Sequence, residues 1–226
     1  MTTAVELTIQ RSNCFRLLAA CFYEPDQALF QKEHLCENLA SLLGICSNEK
    51  AAAAAMSMTA ALAENCGDEM AVEYARLFVG PFELAAPPYG SVYLEKSNRL
   101  MGDSTLAVQK MYQKAGLSVE VREAPDHIAL ELEFMHFLCL GEAEAAQEKK
   151  VSDARKFADL QSAFMGKLLG PWIPEFCEDI RKNTGNGFYS HLADCLDHFV
   201  ESEASTLTQP TVANEMGKDH AERIAV

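Results

Sequence analysis

The residues best suited to chemistry lie in the segment DHIALELEFMHFL, residues 126–138. If this segment is helical, His127 and Glu131 share a face at i, i+4 spacing, whereas Glu133 and His136 point the other way. A histidine and a glutamate could ligate a metal, but the third protein ligand of a catalytic zinc site is missing. We favour a hydrogen-bonded polar pair, because the segment carries apolar residues almost all round and is therefore predicted to be buried.

Asp126 stands at the predicted start of that helix, where a loop meets the core. Its carboxylate can accept a hydrogen bond from a backbone N–H as a helix cap, or point outward and pair with a guanidinium group. The cap is the favoured interpretation. Elsewhere the sequence has no GxxxxGK[ST] phosphate loop, no GxGxxG after a strand and no GxSxG elbow. It makes no case for an enzyme.

A second unusual segment, residues 74–107, concentrates aromatic rings and chain-breaking residues. Its rings belong to Tyr74, Phe78, Phe82, Tyr89 and Tyr93. The spacing predicts the end of a helix that includes Leu77 and stops at Gly80, and Pro87 and Pro88 then stiffen the chain. Two interpretations are open. The rings line an apolar groove for a peptide, with tyrosine hydroxyls as polar handles, or they pack a long loop onto the core.

These residues must be positioned by helices, because helical periodicity runs through most of the chain. The predicted helices are 5–23, 28–43, 49–65, 103–115, 127–140, 152–168 and 188–200. Gly116 and Gly141 are predicted to end two of them. Only SVYLE and LSVEV look like strands, and they are too few and too short for a sheet.

The fold class predicted from this pattern is all-α, a globular bundle of two helical groups. We expect one domain over 1–201, with lobes at about 1–115 and 126–201. The connection at 116–125 is predicted to be a hinge. From about Ser202 the sequence turns polar, so we expect 202–226 to be a disordered tail.

Composition narrows the function further. The formal net charge of -14 disfavours nucleic acid as the main partner, because phosphate binding needs a basic face. The eight cysteines include no CxxC pair, which indicates free thiols in a reducing compartment. The sequence shows neither a secretory signal nor an apolar run of about 18 residues, so we expect a cytoplasmic protein without a membrane span.

The run RLFVGPFELAAPPYGSVYLE…GDSTLA, followed by APDHIALELEFMHFL, closely resembles the TorD/DmsD/NarJ family of redox-enzyme maturation chaperones. The resemblance is closest to the DMSO-reductase and TMAO-reductase branch, DmsD and TorD, and implies a TorD-like all-α fold. Such proteins bind the twin-arginine signal peptide of a molybdopterin-containing oxidoreductase subunit and delay Tat export until the cofactor is inserted. The resemblance implies no permanently bound cofactor. Guanine-nucleotide binding has been suggested for the family, but no phosphate loop supports it here.

The resemblance also implies a binding site. The groove for the apolar part of the signal peptide would be lined by Tyr74, Leu77, Phe78, Phe82, Pro87, Pro88, Tyr89 and Tyr93. Asp126 and His127 would lie near the arginines of the peptide, and Ser91 and Gly102 would shape the backbone of the pocket. Several of the ring positions are often tryptophan in the DMSO-reductase branch, so the client is open among DMSO-, TMAO- and related reductases.

Two further expectations concern partners. A NarJ-like chaperone would instead bind a mature client subunit without needing the signal. Family members also occur as monomers and as dimers that exchange helical lobes, so we expect a monomer with a fraction of domain-swapped dimer.

Overall fold

The structure is a computed structural model, which describes residues 3–26, 30, 32–64, 68–80, 84–95, 102–118 and 123–208. Its helices are α1 Ala4–Cys21, α2 Leu35–Ile45, α3 Glu49–Glu64, α4 Glu69–Tyr74, α5 Gly90–Leu94, α6 Asp103–Lys114, α7 Ile128–Gln147, α8 Val151–Phe164, α9 Ile173–Asn183 and α10 Gly187–Thr208. Helix α4 continues as a π-helical turn over Ala75–Val79, and α8 as another over Met165–Leu169. Within these ranges there is no β-sheet, so the predicted all-α class is confirmed.

Helix α1 begins where the sequence supplies a complete capping box. The Thr3 hydroxyl accepts a hydrogen bond from the Glu6 N–H at 3.2 Å, and the Glu6 carboxylate accepts one from the Thr3 N–H at 2.7 Å. The inner face of the helix carries Cys14, Phe15 and Leu18, all fully buried. Helix α1 packs against α7 and α2, and the Phe15 ring meets Phe199 of α10 at a centroid distance of 4.7 Å.

Helix α7 is the central element, as its apolar circumference predicts. It packs against both α1 and α8, and Leu132, Met135 and Leu138 are fully buried. Helices of the two predicted lobes therefore share one core, since α3 also packs against α10. Part of the predicted hinge, 119–122, lies outside the described residues.

The predicted end of α7 at Gly141 is wrong, because the helix continues to Gln147. A Cβ added at Gly141 would lie 2.6 Å from ring atoms of Phe157, which belongs to α8. The glycine therefore allows two helices to approach closely instead of ending one of them. Gly116 does follow the end of α6, with φ of 85°, a value that favours glycine.

Two other boundaries differ from the predictions. Helix α2 starts at Leu35, after His34 takes a left-handed conformation with φ of 50°, which interrupts the helix predicted from residue 28. In the strand-like SVYLE, residues 91–94 are helical and belong to α5.

The last helix runs past Ser202, where the tail was predicted to start, and ends at Thr208. Its Glu203 is buried and accepts from the Arg11 guanidinium, with Nη2 and Oε2 2.7 Å apart. The Ser162 hydroxyl donates to the Leu207 carbonyl at 3.2 Å. These contacts hold residues 202–208 to the fold, while 209–226 lie outside the described residues.

A buried polar network joins four helices around Gln161 of α8. Its amide nitrogen donates to the Glu142 carboxylate at 2.7 Å and to the Leu138 carbonyl at 3.3 Å. Its amide oxygen accepts from Arg11 at 3.4 Å and from the Cys139 thiol at 3.3 Å. Through Arg11 the network extends to Glu203, so α1, α7, α8 and α10 are connected.

The cysteines and the helices can be compared with the predictions of free thiols and of a chain without a membrane span. The seven described cysteines are free thiols, and six of them are buried. Cys66 lies outside the described residues. None of the described helices is long and apolar enough to cross a membrane.

Candidate functional site

The site forms where the segment before α5 meets the start of α7. The Gly90 N–H donates to the Asp126 carbonyl, and the Ile128 N–H donates to the Pro88 carbonyl, both at 2.9 Å. Tyr89 and His127 face each other in this single antiparallel bridge. Pro87 and Pro88 favour the extended backbone that such pairing needs. Tyr89 and His127, which are 38 positions apart in the sequence, are thereby fixed side by side.

Asp126 and His127 cap two different helices at this junction. The Asp126 Oδ2 accepts a hydrogen bond from the Ser91 N–H of α5 at 2.8 Å. The His127 Nδ1 accepts one from the Ala129 N–H of α7 at 3.2 Å, which leaves the ring proton on Nε2. The cap predicted for Asp126 is thus present, but it serves the neighbouring helix. Asp126 is only 1% exposed, and its Oδ1 has no hydrogen-bond partner among the described residues.

His127 lies between two tyrosine rings that reach the surface. The Tyr23 ring is stacked on it at a centroid distance of 6.5 Å, and the Tyr89 ring meets it edge-on at 5.3 Å. Tyr23 is 36% exposed. Burial lowers the pKa of His127, against the effect of the Glu123 and Asp126 carboxylates. The imidazole is therefore mostly neutral near pH 7.

Two exposed carboxylates flank these rings. The Tyr89 hydroxyl donates to Glu123 at 3.2 Å, and burial together with Glu123 raises the pKa of Tyr89 to about 12. Burial and the neighbouring Glu133 carboxylate likewise raise the pKa of Tyr23. We call the surface made by Tyr23, Tyr89, His127, Glu123 and Glu133 the acidic ring surface. Carboxylates beside ring faces are suited to bind a guanidinium group.

Three of the other residues predicted to line the groove point into the core instead. Leu77 is fully buried, Phe78 is 4% exposed and Tyr93 is 7% exposed. The Phe78 ring contacts Phe22, Tyr74, Phe176 and Tyr189, and the Tyr93 ring stacks on Trp172 at 5.6 Å. These three side chains are therefore core residues and do not line an open groove. Phe82 lies outside the described residues.

The remaining predicted residues surround the junction at different depths. Tyr74 is half-buried, and its hydroxyl donates to the Phe22 carbonyl at 3.4 Å. Pro88 and Ser91 are buried, whereas Pro87 is half-buried. Gly102 precedes α6, where an added Cβ would overlap the Glu95 carboxylate that accepts from the Ser104 N–H at 2.8 Å. Gly102 therefore makes room for a helix cap.

The predicted His127 and Glu131 pair is not a hydrogen-bonded pair. Glu131 is fully buried, and its Oε2 accepts from the Trp172 indole N–H at 3.1 Å. Burial raises the pKa of Glu131 well above its usual range. No cluster of three metal-binding side chains occurs in the part of the chain that the structure describes.

Sequence reasoning missed three residues of the acidic ring surface. Tyr23 follows α1 and lies about a hundred positions from His127 in the sequence, so no local spacing connects them. Helical spacing indicates only that Glu133 points away from His127. Glu123 precedes the helix and carries no signal except its place just before the Pro125–His127 motif. Their shared position depends on the packing of α1 against α7.

Comparison with known proteins shows which proteins this chain is similar to. The sequence model described as nitrate reductase delta subunit matches residues 46–178, more than half of the 226-residue chain. A chaperone protein TorD from Vibrio parahaemolyticus is 28% identical over 88% of this chain and 99% of its own length. A Tat proofreading chaperone DmsD from Salmonella typhi is 31% identical over 52% of each chain.

A solved structure is also similar. This candidate redox enzyme maturation protein from Archaeoglobus fulgidus is 21% identical, over 88% of this chain and 94% of that one, with a TM-score of 0.46. The TorD from Photobacterium profundum is 29% identical over 62% of this chain and 64% of its own length. The chain therefore spans nearly all of one TorD relative and about half to two thirds of the other two named relatives.

Proposed function

The chain belongs to the nitrate reductase delta subunit family, and we propose that it is a cytoplasmic maturation chaperone that binds the twin-arginine signal peptide of a molybdopterin-containing oxidoreductase. Its relatives are named as TorD and Tat proofreading chaperones, and not as enzymes. The observation that carries the proposal is the acidic ring surface. By holding the signal, the chaperone assists cofactor insertion and delays Tat export until the client is folded.

The chemistry of this surface matches the front of such a peptide. A guanidinium group can lie on the rings of Tyr23 and Tyr89 while it donates hydrogen bonds to Glu123 or Glu133. Lysine offers only a compact point charge at the same place, so arginine is favoured. Asp126 is a buried group beneath this surface, and its unpartnered Oδ1 remains an acceptor. Its predicted position near the arginines stays a prediction.

The charge of the whole molecule supports the same partner. A net charge of -14 attracts a basic peptide and speeds its encounter. Hydrophobic contact of the apolar segment would supply most of the affinity. Binding that delays export but still permits release corresponds to a Kd at or below about 1 μM, roughly -8 to -10 kcal/mol.

Titration calorimetry tests the proposal with the signal peptides of molybdenum reductases encoded in the same genome. Each peptide is compared with a version in which two lysines replace the arginines. We expect tight binding that weakens about tenfold or more with lysine. The substitution Glu123→Gln should reduce this preference for arginine, whereas Glu201→Gln, the same change at an exposed site on α10, should not.

Two results would contradict parts of the proposal. Tight binding that ignores the lysine change would move recognition away from the acidic ring surface to the apolar segment. Absence of binding to every signal peptide would contradict the signal-peptide role itself.

A second candidate function follows from the family description, which names nitrate reductase. In this NarJ-like role the chain would bind a mature reductase subunit independently of a Tat signal. Pull-down with a client subunit lacking its signal separates the two roles. Capture of that subunit, together with absence of binding to the isolated signal, would favour the NarJ-like role.

A further inference from the structure

A groove of about 480 Å³ lies between α1 and α2. Its floor is apolar and is formed by Leu17, Ala20, Leu35 and Leu42. Its rim carries neutral polar side chains, namely Asn13, Asn38 and Ser41. We call this feature the α1–α2 groove.

The groove continues directly from the acidic ring surface. Tyr23 and Glu133 line it, and both also belong to that surface. The Tyr23 ring stacks on His127 at 6.5 Å. The nearby Glu133 carboxylate helps to raise the pKa of the Tyr23 hydroxyl. A chain bound across the rings of Tyr89 and Tyr23 is therefore led to the opening between α1 and α2.

The apolar part of a bound signal needs a surface other than the core. Leu77, Phe78 and Tyr93 are at most 7% exposed, so they offer little surface to a peptide. Because twin-arginine signals place an apolar stretch after their basic front, and building on the function proposed above, we propose that the α1–α2 groove binds the start of that apolar stretch.

The dimensions and chemistry of the groove fit such a segment. Asn13 and Ala20 are seven positions apart on α1, which corresponds to about 10 Å along the helix. An extended peptide covers that length with about three residues. Side-chain amides at the rim provide donors and acceptors for the peptide backbone, and the leucines and the alanine below provide the apolar contact.

Three charged side chains also line the groove, namely Arg16, Glu33 and Glu133. Glu133 is shared with the acidic ring surface, where Glu123 lies beside Tyr89. Carboxylates are therefore present where the arginines of the peptide would bind, and the uncharged residues that follow the arginines would lie over the apolar floor.

Blocking the groove tests the inference. Ser41 is exposed on α2, and Ser41→Trp would place a large ring at the rim without changing the core. The matched control is Ser202→Trp, at an exposed serine on α10. The full-length chain is titrated with the reductase signal peptides described above and with versions cut just after the arginines.

We expect Ser41→Trp to weaken the full signal peptide about tenfold or more. It should leave binding of the cut peptide unchanged, and Ser202→Trp should affect neither peptide. If Ser41→Trp binds the full peptide as tightly as the wild-type chain does, the inference about the α1–α2 groove is wrong, while the proposed function stands. If the wild-type chain binds no signal peptide, the proposed function fails and the groove assignment fails with it.

Cross-linking tests the same inference without a substitution in the protein. A photoreactive residue in the apolar stretch of the peptide should cross-link the wild-type chain at α1 and α2, for example at Leu17 or Asn38. Cross-links confined to residues 74–95 would overturn the inference.

Discussion

Glu131 is a buried carboxyl group whose protonation should set part of the pH dependence of stability. It is fully buried and accepts a hydrogen bond from Trp172. Burial raises its pKa well above the ordinary value of 4.5. In the unfolded chain the group ionises near that ordinary value, while in the fold it keeps its proton. The contribution of Glu131 to the free energy of unfolding is thus fully present when the pH is below the unfolded-state pKa. This contribution is lost as the pH rises towards the folded-state pKa.

Replacing Glu131 with glutamine should abolish the part of the decrease in stability at rising pH that comes from Glu131. The amide of Glu131→Gln still accepts from the Trp172 indole and never ionises. We expect its free energy of unfolding, relative to wild type, to increase between about pH 5 and about pH 8. Urea unfolding followed by the fluorescence of the single tryptophan measures it.

The control is Glu201→Gln, which makes the same change at an exposed site on α10. A difference between Glu131→Gln and wild type that stays constant with pH would show that Glu131 is ionised in the fold.

The same residues show what local sequence can predict about the site. The start of a helix at Asp126 and His127 was predictable, because a polar pair precedes a long apolar run. The helix that Asp126 caps was not predictable, since the Ser91 N–H comes from another segment. Tyr23 could not be found either, because ring stacking on His127 depends on how distant helices pack.

At the scale of elements, two helical glycines offer a direct comparison. Gly44 lies in α2, and a Cβ added there would meet nothing within 4 Å. Gly44→Ala should therefore stabilise the protein by about 0.5–1 kcal/mol. At Gly141 the added Cβ would lie 2.6 Å from the Phe157 ring, so Gly141→Ala should lower the melting temperature.

Thermal unfolding of the two variants measures this difference. In a Phe157→Ala background the ring is gone, and Gly141→Ala should then stabilise like Gly44→Ala. If Gly141→Ala stabilises the wild-type chain to the same extent, close contact of α7 with α8 is not the role of this glycine.

Helix ends were predictable where they depend on a glycine with a left-handed backbone conformation. Gly80 and Gly116 have positive φ and follow the ends of helical segments as predicted. Gly141 shows the limit of this reasoning, because a glycine required for close packing has the same sequence signature as one that ends a helix. The end of α10 was misplaced for a related reason. Its last turns are polar, but Glu203 is held by Arg11 of α1.

For the whole molecule, the ion pair of Arg11 and Glu203 joins the first and the last described helices. Their side chains are 14% and 8% exposed. Glu203→Ala would leave the guanidinium buried without its partner, which should cost about 3–5 kcal/mol. The double substitution Arg11→Met, Glu203→Leu removes both charges and should recover most of that loss.

Urea unfolding of the single and double variants measures these free energies. A loss below about 1 kcal/mol for Glu203→Ala is typical of an exposed pair. That result would contradict a role for the pair in closing the bundle.

Because the cysteines are buried, their reaction with thiol reagents can report where the fold opens locally. Cys14, Cys36, Cys139, Cys177 and Cys195 lie on five different helices and are buried. A thiol-labelling reagent can reach each sulfur only when the surrounding helices separate, so the labelling rate reports the local free energy of opening. Half-exposed Cys46 supplies the reference rate. If client release loosens one pair of helices, one cysteine will be labelled faster while the others keep their protection.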